Sequence, residues 1–129
     1  MTILANTAHT QPIDEEVMML LNNYALATEL NDEVLLDSAF HKNFRVVAMT
    51  AEGLRVIEKA SYLSLIKDKK IGGHKRELKI GAVIEGDNIM QVSLTLSGKE
   101  AVFYDHLAII KEDGGWQILH NSTHVKSRN

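Results

Sequence analysis

Residues 101–125 read AVFYDHLAIIKEDGGWQILHNSTHV. Two apolar, β-branched runs flank Glu112-Asp113-Gly114-Gly115, the composition of a tight turn. The stretch predicts a hairpin of two long strands, residues 101–111 and 116–125. On the first strand Phe103, Asp105, Leu107 and Ile109 share one face, and Tyr104, His106, Ala108 and Ile110 share the other. Hydrophobicity alone allows either face to meet a core. If the first does, a carboxylate sits on an apolar sheet face, where Asp is seldom found without a partner. The second strand offers the same choice. Trp116, Ile118, His120, Ser122 and His124 lie on one side, and Gln117, Leu119, Asn121, Thr123 and Val125 on the other. Trp116 directly follows the two-glycine turn, and its ring is expected near the helix layer at one end of the sheet.

The same period of two continues upstream. Met90, Val92, Leu94 and Leu96 alternate with Gln91, Ser93, Thr95 and Ser97. Leu78, Ile80, Ala82 and Ile84 alternate with Lys79, Gly81, Val83 and Glu85, and Gly86-Asp87-Asn88 turns the chain between the two runs. Phe44 to Met49 and Gly53 to Ile57 predict a shorter strand pair. Helical spacing appears only in the first half. Val17, Leu20, Leu21, Tyr24, Ala27 and Thr28 form one face of a helix over residues 13–30, with Pro12, Asp14, Glu15 and Glu16 at its start. Asn31-Asp32 ends it, and Asp32 caps a short helix through Ala39. Tyr62, Leu65 and Ile66 predict a third helix near residues 58–68, closed by Gly72-Gly73. The class is α+β: a curved antiparallel sheet forming a cone, wrapped on a long N-terminal helix and two shorter ones.

The whole chain supports one such unit. It has 129 residues, 45% of them hydrophobic and 24% charged, with a net charge of −3. These values exclude disorder and a second core. There is no cysteine, which excludes a disulfide scaffold, a cysteine metal site and a thiol nucleophile. The 14 basic and 17 acidic residues leave no nucleic-acid footprint. The longest apolar run, Val17 to Leu21, is far below the roughly 20 residues of a membrane span. Nothing in the first fifteen residues resembles a signal peptide. The expected organisation is a flexible segment 1–12, one domain over 13–125 and a tail 126–129, in a cytoplasmic protein.

The chain resembles the nuclear transport factor 2-like superfamily, with its cystatin-like cone. It is most similar to the small bacterial group named putative lumazine-binding, and more distantly to ketosteroid isomerase. The residues that carry the likeness are Tyr24 with Asp32 eight positions later, Phe40-His41 before a strand, and Phe103-Tyr104-Asp105-His106-Leu107. To these is added the hairpin Lys111-Glu112-Asp113-Gly114-Gly115-Trp116-Gln117-Ile118. The resemblance covers residues 13–125. It implies a pocket between helix and sheet, and a homodimer formed through the outer sheet face, bordered here by Gln91, Ser93, Thr95 and Ser97.

In ketosteroid isomerases a helix tyrosine and a strand aspartic acid donate hydrogen bonds to an oxyanion. Tyr24 and Asp105 fall on those positions. An apolar pocket would keep the acid neutral and able to donate. The isomerase also needs a carboxylate base on the first strand. That position is Ala48 here, flanked by Val47 and Met49, so steroid isomerisation is not expected. With residue 111 opposite residue 116, Asp105 would face Ser122, with His120 and His124 diagonal to it. Asp105, His120 and Tyr24 are therefore the catalytic candidates, and a buried Asp–Tyr–His network that only braces the sheet is the alternative. The implied pocket would be lined by Tyr24, Ala48, Met90 and Leu94, and by Phe103, Asp105, His120 and Ser122.

Other features read as structural. The six histidines show no helical His-x-x-x-His pair, so no metal is expected. Lys67, Lys69, Lys70, His74, Lys75 and Arg76 read as a solvated helix end. No motif reads a pteridine or flavin ring, and no cofactor is expected. Three function classes remain: a domain binding a small apolar or ring-shaped ligand, an acid–base enzyme of isomerase, dehydratase or cyclase type, and a non-catalytic accessory dimer.

Overall fold

The helices form where apolar positions recur every three to four residues. In this computed structural model, which describes residues 13–128, α1 spans Glu15–Leu30, α2 Glu33–Ala39 and α3 Lys59–Lys67. Pro12 lies outside the described residues. Asp14 is the N-cap of α1: its carboxylate accepts the Glu16 N–H at 2.7 Å. The buried stripe of α1 is Val17, Leu20, Leu21, Tyr24, Ala27 and Thr28, as the spacing requires. Asn31 ends the helix in the left-handed region (φ 53°), and its amide donates to the carbonyls of Ile66 and Ile71 at 2.8 and 2.9 Å. Asp32 caps α2 through the Leu35 N–H at 3.1 Å.

The glycines after α3 do not end it. The helix stops at Lys67, and Lys69 takes the left-handed conformation (φ 59°). Gly72 (φ 76°) is required for close approach instead, because a Cβ there would overlap the Thr28 carbonyl oxygen. Gly73 N–H donates to that same oxygen at 2.9 Å.

Six strands follow the order β2-β1-β6-β5-β4-β3, with β1 Phe40–Thr50, β2 Gly53–Glu58, β3 Glu77–Glu85, β4 Ile89–Ser97, β5 Ala101–Glu112 and β6 Gly115–Ser127. The sheet is curved and unclosed. It is mixed rather than wholly antiparallel, since β1 and β6 run parallel. The helices cover its inner face. There Val83, Val92, Leu107, Asn121, Val46 and Ile57 form one cross-strand row, and Ile80, Leu94, Asp105, Thr123, Ala48 and Arg55 form the next.

Three register shifts set which residues enter those rows, one of them in β1 between Phe40 and Arg45. Lys111 pairs with Trp116 as expected, but the register shifts at Leu119: Ile109 faces Ile118 and Ala108 faces His120. One extra residue in a strand exchanges its faces. Asp105 therefore lies opposite Thr123, not Ser122. His120, Ser122 and His124 turn outward, which corrects the facing expected from unbroken alternation. In β3 the shift falls between Ile80 and Val83, so Leu78, Ile80 and Val83 point inward while Ala82 and Ile84 do not. The Ala82 N–H at that bulge is taken up by Ser93 Oγ at 2.9 Å.

Candidate functional site

Three elements converge on one carboxylate. The Tyr24 hydroxyl of α1 donates to Asp105 Oδ2 at 2.7 Å, and Thr123 Oγ1 of β6 donates to Asp105 Oδ1 at 2.6 Å. Asn121 Nδ2 donates to the Tyr24 oxygen at 3.4 Å. Tyr24, Asp105 and Asn121 are only 3%, 2% and 4% exposed. Every bond of this chain points towards Asp105, whose two oxygens both accept. The bulge is what brings Thr123 across from Asp105. At the other end of the chain Asn121 Oδ1 is left over. It is the sole fully buried side-chain polar atom without a partner among the described residues.

Two phenols border this network. Burial, reinforced by the Asp105 charge, pushes the Tyr24 phenol well above its ordinary range. Burial pushes Tyr62 of α3 up to about 12, with Asp105 adding to the shift and Arg76 opposing it. Both remain hydrogen-bond donors at neutral pH. Tyr62 packs edge-on against the stacked rings of Phe40 and Phe44, at 5.6 and 5.9 Å between centroids.

The other residues anticipated at the site are spread over both faces. Leu94 is buried directly beside Asp105, and Ala48 is half-buried beside Thr123. Phe103 sits one row further along the inner face, under the Arg76 guanidinium at 4.6 Å. Met90 pairs with Ile109, four residues and about 13 Å along β4 from Leu94. His120 and Ser122 are not with Asp105. They meet each other on the outer face, Nε2 to Oγ at 3.0 Å, along a groove of about 490 Å³ shared with Ala82, Gln91, Ser93 and His106. Burial, and then the Arg45 charge, lower the His120 pKa. Tyr104 and His124 stack on that face at 4.7 Å.

A second groove, about 600 Å³, runs past the last turn. In it His41 Nδ1 accepts the Asn43 N–H at 3.0 Å, so Nε2 carries the proton donated to Glu112 at 2.9 Å. Trp116 lines this groove, half-buried against the core, and its backbone N–H donates to Glu16 Oε2 of α1 at 3.3 Å. Neither groove reaches Asp105. Among the described residues no three His, Asp or Glu side chains converge to hold a metal.

Sequence reasoning missed Asn121, Thr123, Tyr62 and Arg76. The first two were visible only as the alternative face of β6. Tyr62 read as core spacing, and Arg76 as one more charge of a solvated cluster.

The comparisons agree with this architecture. The structure matches a protein of unknown function described as NTF2-like from Silicibacter pomeroyi, with 16% identity, 86% of this chain and 93% of that one covered, and a TM-score of 0.77. A ketosteroid isomerase-like protein from Erwinia carotovora atroseptica matches with 13% identity, 88% and 98% coverage, and a TM-score of 0.70. A cystatin-like fold protein from Burkholderia xenovorans matches with 13% identity, 88% and 92% coverage, and a TM-score of 0.69. These likenesses define the fold as nuclear transport factor 2-like. The chain belongs to the family described as Putative lumazine-binding, which matches residues 13–124. A search of curated proteins returned no match.

Proposed function

We propose that the protein binds a small ring-shaped ligand on the inner face of its sheet, against Asn121, Tyr24 and Asp105, and that the ligand presents an N–H or O–H to Asn121 Oδ1. The observation that carries this is the unpartnered Asn121 oxygen at the end of a directed hydrogen-bond chain. A buried acceptor left empty costs about 1–3 kcal/mol, so a donor that fills it gains what the fold gives up. Donation to that oxygen also polarises the amide and strengthens its bond to Tyr24. The family description supports a flat heterocycle: lumazine carries N–H groups beside carbonyls in one plane.

Binding is favoured over catalysis by what the inner face lacks. Its β1 positions are Phe44, Val46 and Ala48, none of which can take a proton. Tyr24 is already committed to Asp105, so no oxyanion site is open between them. Lumazine titrated into isotopically labelled protein is expected to move the Asn121 side-chain amide resonances. 1,3-Dimethyllumazine, with both N–H groups methylated, is expected to leave them in place. Equal shifts from the two rings, or shifts confined to the outer face, would rule the reading out.

We also propose pairing of two copies through the outer sheet face. Met49, Leu54, Val56, Ile84 and Ile89 are exposed. Met49 and Leu54 are cross-strand partners on the outward side of β1 and β2. Light scattering at micromolar concentration is the test, and a mass near 14.4 kDa would refute it.

A further inference from the structure

Arg76 precedes β3 in a stretch of exposed charges, yet its side chain turns away from them. Nη2 donates to Thr28 Oγ1 of α1 at 2.6 Å, and the guanidinium plane covers the Phe103 ring at 4.6 Å. Thr28 is itself fully buried and fixed, with its hydroxyl donating to the Ala25 carbonyl at 2.9 Å. The stem is packed by Gly98, where a Cβ would lie 3.2 Å from Arg76 Cγ. The group is thus held from three sides. A guanidinium has five N–H donors, and a single bond to a neutral hydroxyl leaves most of them unused.

No carboxylate is paired with it among the described residues, where the lysine–carboxylate pairs are Lys59–Asp37 and Lys67–Glu33. Asp105 is not within ion-pair distance of it, and the hydrogen bonds that Asp105 accepts come from Tyr24 and Thr123. The Arg76 charge nevertheless acts on the same space, since it is felt by both Tyr24 and Tyr62. A half-buried, positioned and unpaired cation beside the inner face of the sheet is a recognition element for an anion. An arginine fork suits the planar, two-oxygen geometry of a carboxylate.

We propose that Arg76 is an anion-recognition residue that reads a carboxylate carried by the ligand of the inner face. This rests on the ligand reading given above, since it describes the other end of the same occupant. One end of the molecule donates to Asn121, and the other accepts from Arg76 beside Phe103. The ligand class narrows from a neutral ring to a ring acid.

Benzoate and benzamide separate charge from shape. Titrated into labelled protein, benzoate is expected to move the Arg76 Nε–H resonance and to bind roughly tenfold tighter than benzamide. Arg76→Gln, its fold checked by thermal melting, is expected to bind the two equally. The proposal is overturned if benzoate leaves Nε–H unmoved, if benzamide matches it, or if the glutamine variant keeps the preference. Should that variant fail to fold, the two probes on the unaltered protein decide the matter alone. A response at Arg76 without one at Asn121 under lumazine retires the donor reading and keeps the anion site. A response at Asn121 under lumazine with none at Arg76 under benzoate retires the anion site alone.

Discussion

Asp105 and Thr123 face each other across β5 and β6, and the threonine hydroxyl closes on the carboxylate at 2.6 Å. With Tyr24 on the second oxygen, the carboxylate holds α1 onto the sheet. The pair thus makes Asp105 a brace as well as part of the candidate site.

Replacing that carboxylate should expose its structural share. Asp105→Asn keeps one acceptor oxygen and is expected to cost about 1 kcal/mol. Asp105→Leu leaves the Tyr24 and Thr123 hydroxyls without a buried acceptor and is expected to cost about 3 kcal/mol. Urea unfolding midpoints check the order. A leucine variant as stable as the parent would show that the network braces nothing.

Alkaline pH should loosen the fold through its phenols. Tyr62 rises to about 12 in the folded chain against about 10 unfolded, and Tyr24 is likewise raised by its burial. A raised folded pKa favours the protonated, folded form. The stabilisation is whole below pH 10 and is lost as pH climbs through 12. Ultraviolet absorbance should show phenolate from these two residues only as the chain unfolds. Tyr62→Phe should shift the alkaline unfolding midpoint upward, because one of the groups that must ionise is gone.

The outer face has its own titration. His120 is lowered by burial first and by Arg45 second. Its neutral form is the one the fold favours, so its contribution is present above pH 6.5 and fades as pH falls through the depressed value. Arg45→Gln should move the His120 imidazole resonances to a higher titration midpoint, though not fully to 6.5, since burial remains. An unchanged midpoint would mean that the guanidinium does not act on the ring.

Two glycines should respond in opposite ways. Gly72→Ala forces a left-handed alanine against the Thr28 carbonyl, with an expected loss of about 2–4 kcal/mol. A Cβ at Gly114 meets nothing within 4 Å, so Gly114→Ala should stay within about 0.5 kcal/mol of the parent. Thermal melts of the two variants side by side provide the measurement.

What the sequence disclosed followed the regularity of each segment. α1 and β4 obey their periods throughout, and their buried residues were legible one by one. The inward face of β5 was legible once Phe103, Leu107 and Ile109 were weighed with Asp105. β6 was not, because both of its faces mix polar and apolar residues and nothing in Ile118-Leu119-His120 announces a bulge. β3 did carry a sign: Gly81 interrupts the strand next to the shift, with Ser93 Oγ 2.8 Å from where its Cβ would be. The parallel β1–β6 pairing joins segments too distant for any local pattern to reveal. Arg76 was hidden for a different reason, since charge in a basic run says nothing about which member folds back under a ring.

The last strand also sets a timetable. During synthesis α1, the β1–β2 hairpin and α3 emerge well before the residues that complete them. Tyr24 waits 81 positions for Asp105 and 97 for Asn121. β3, β4 and β5 can zip up as successive hairpins, but β1 keeps one edge bare until β6 slides between it and β5. A nascent chain in that interval presents an apolar helix face and an open strand edge together, the combination that attracts chaperones and invites misassociation. The arrival of residues 118–124 is then the step that unites two half-domains, and slow codons between β1 and β6 would lengthen the exposed interval.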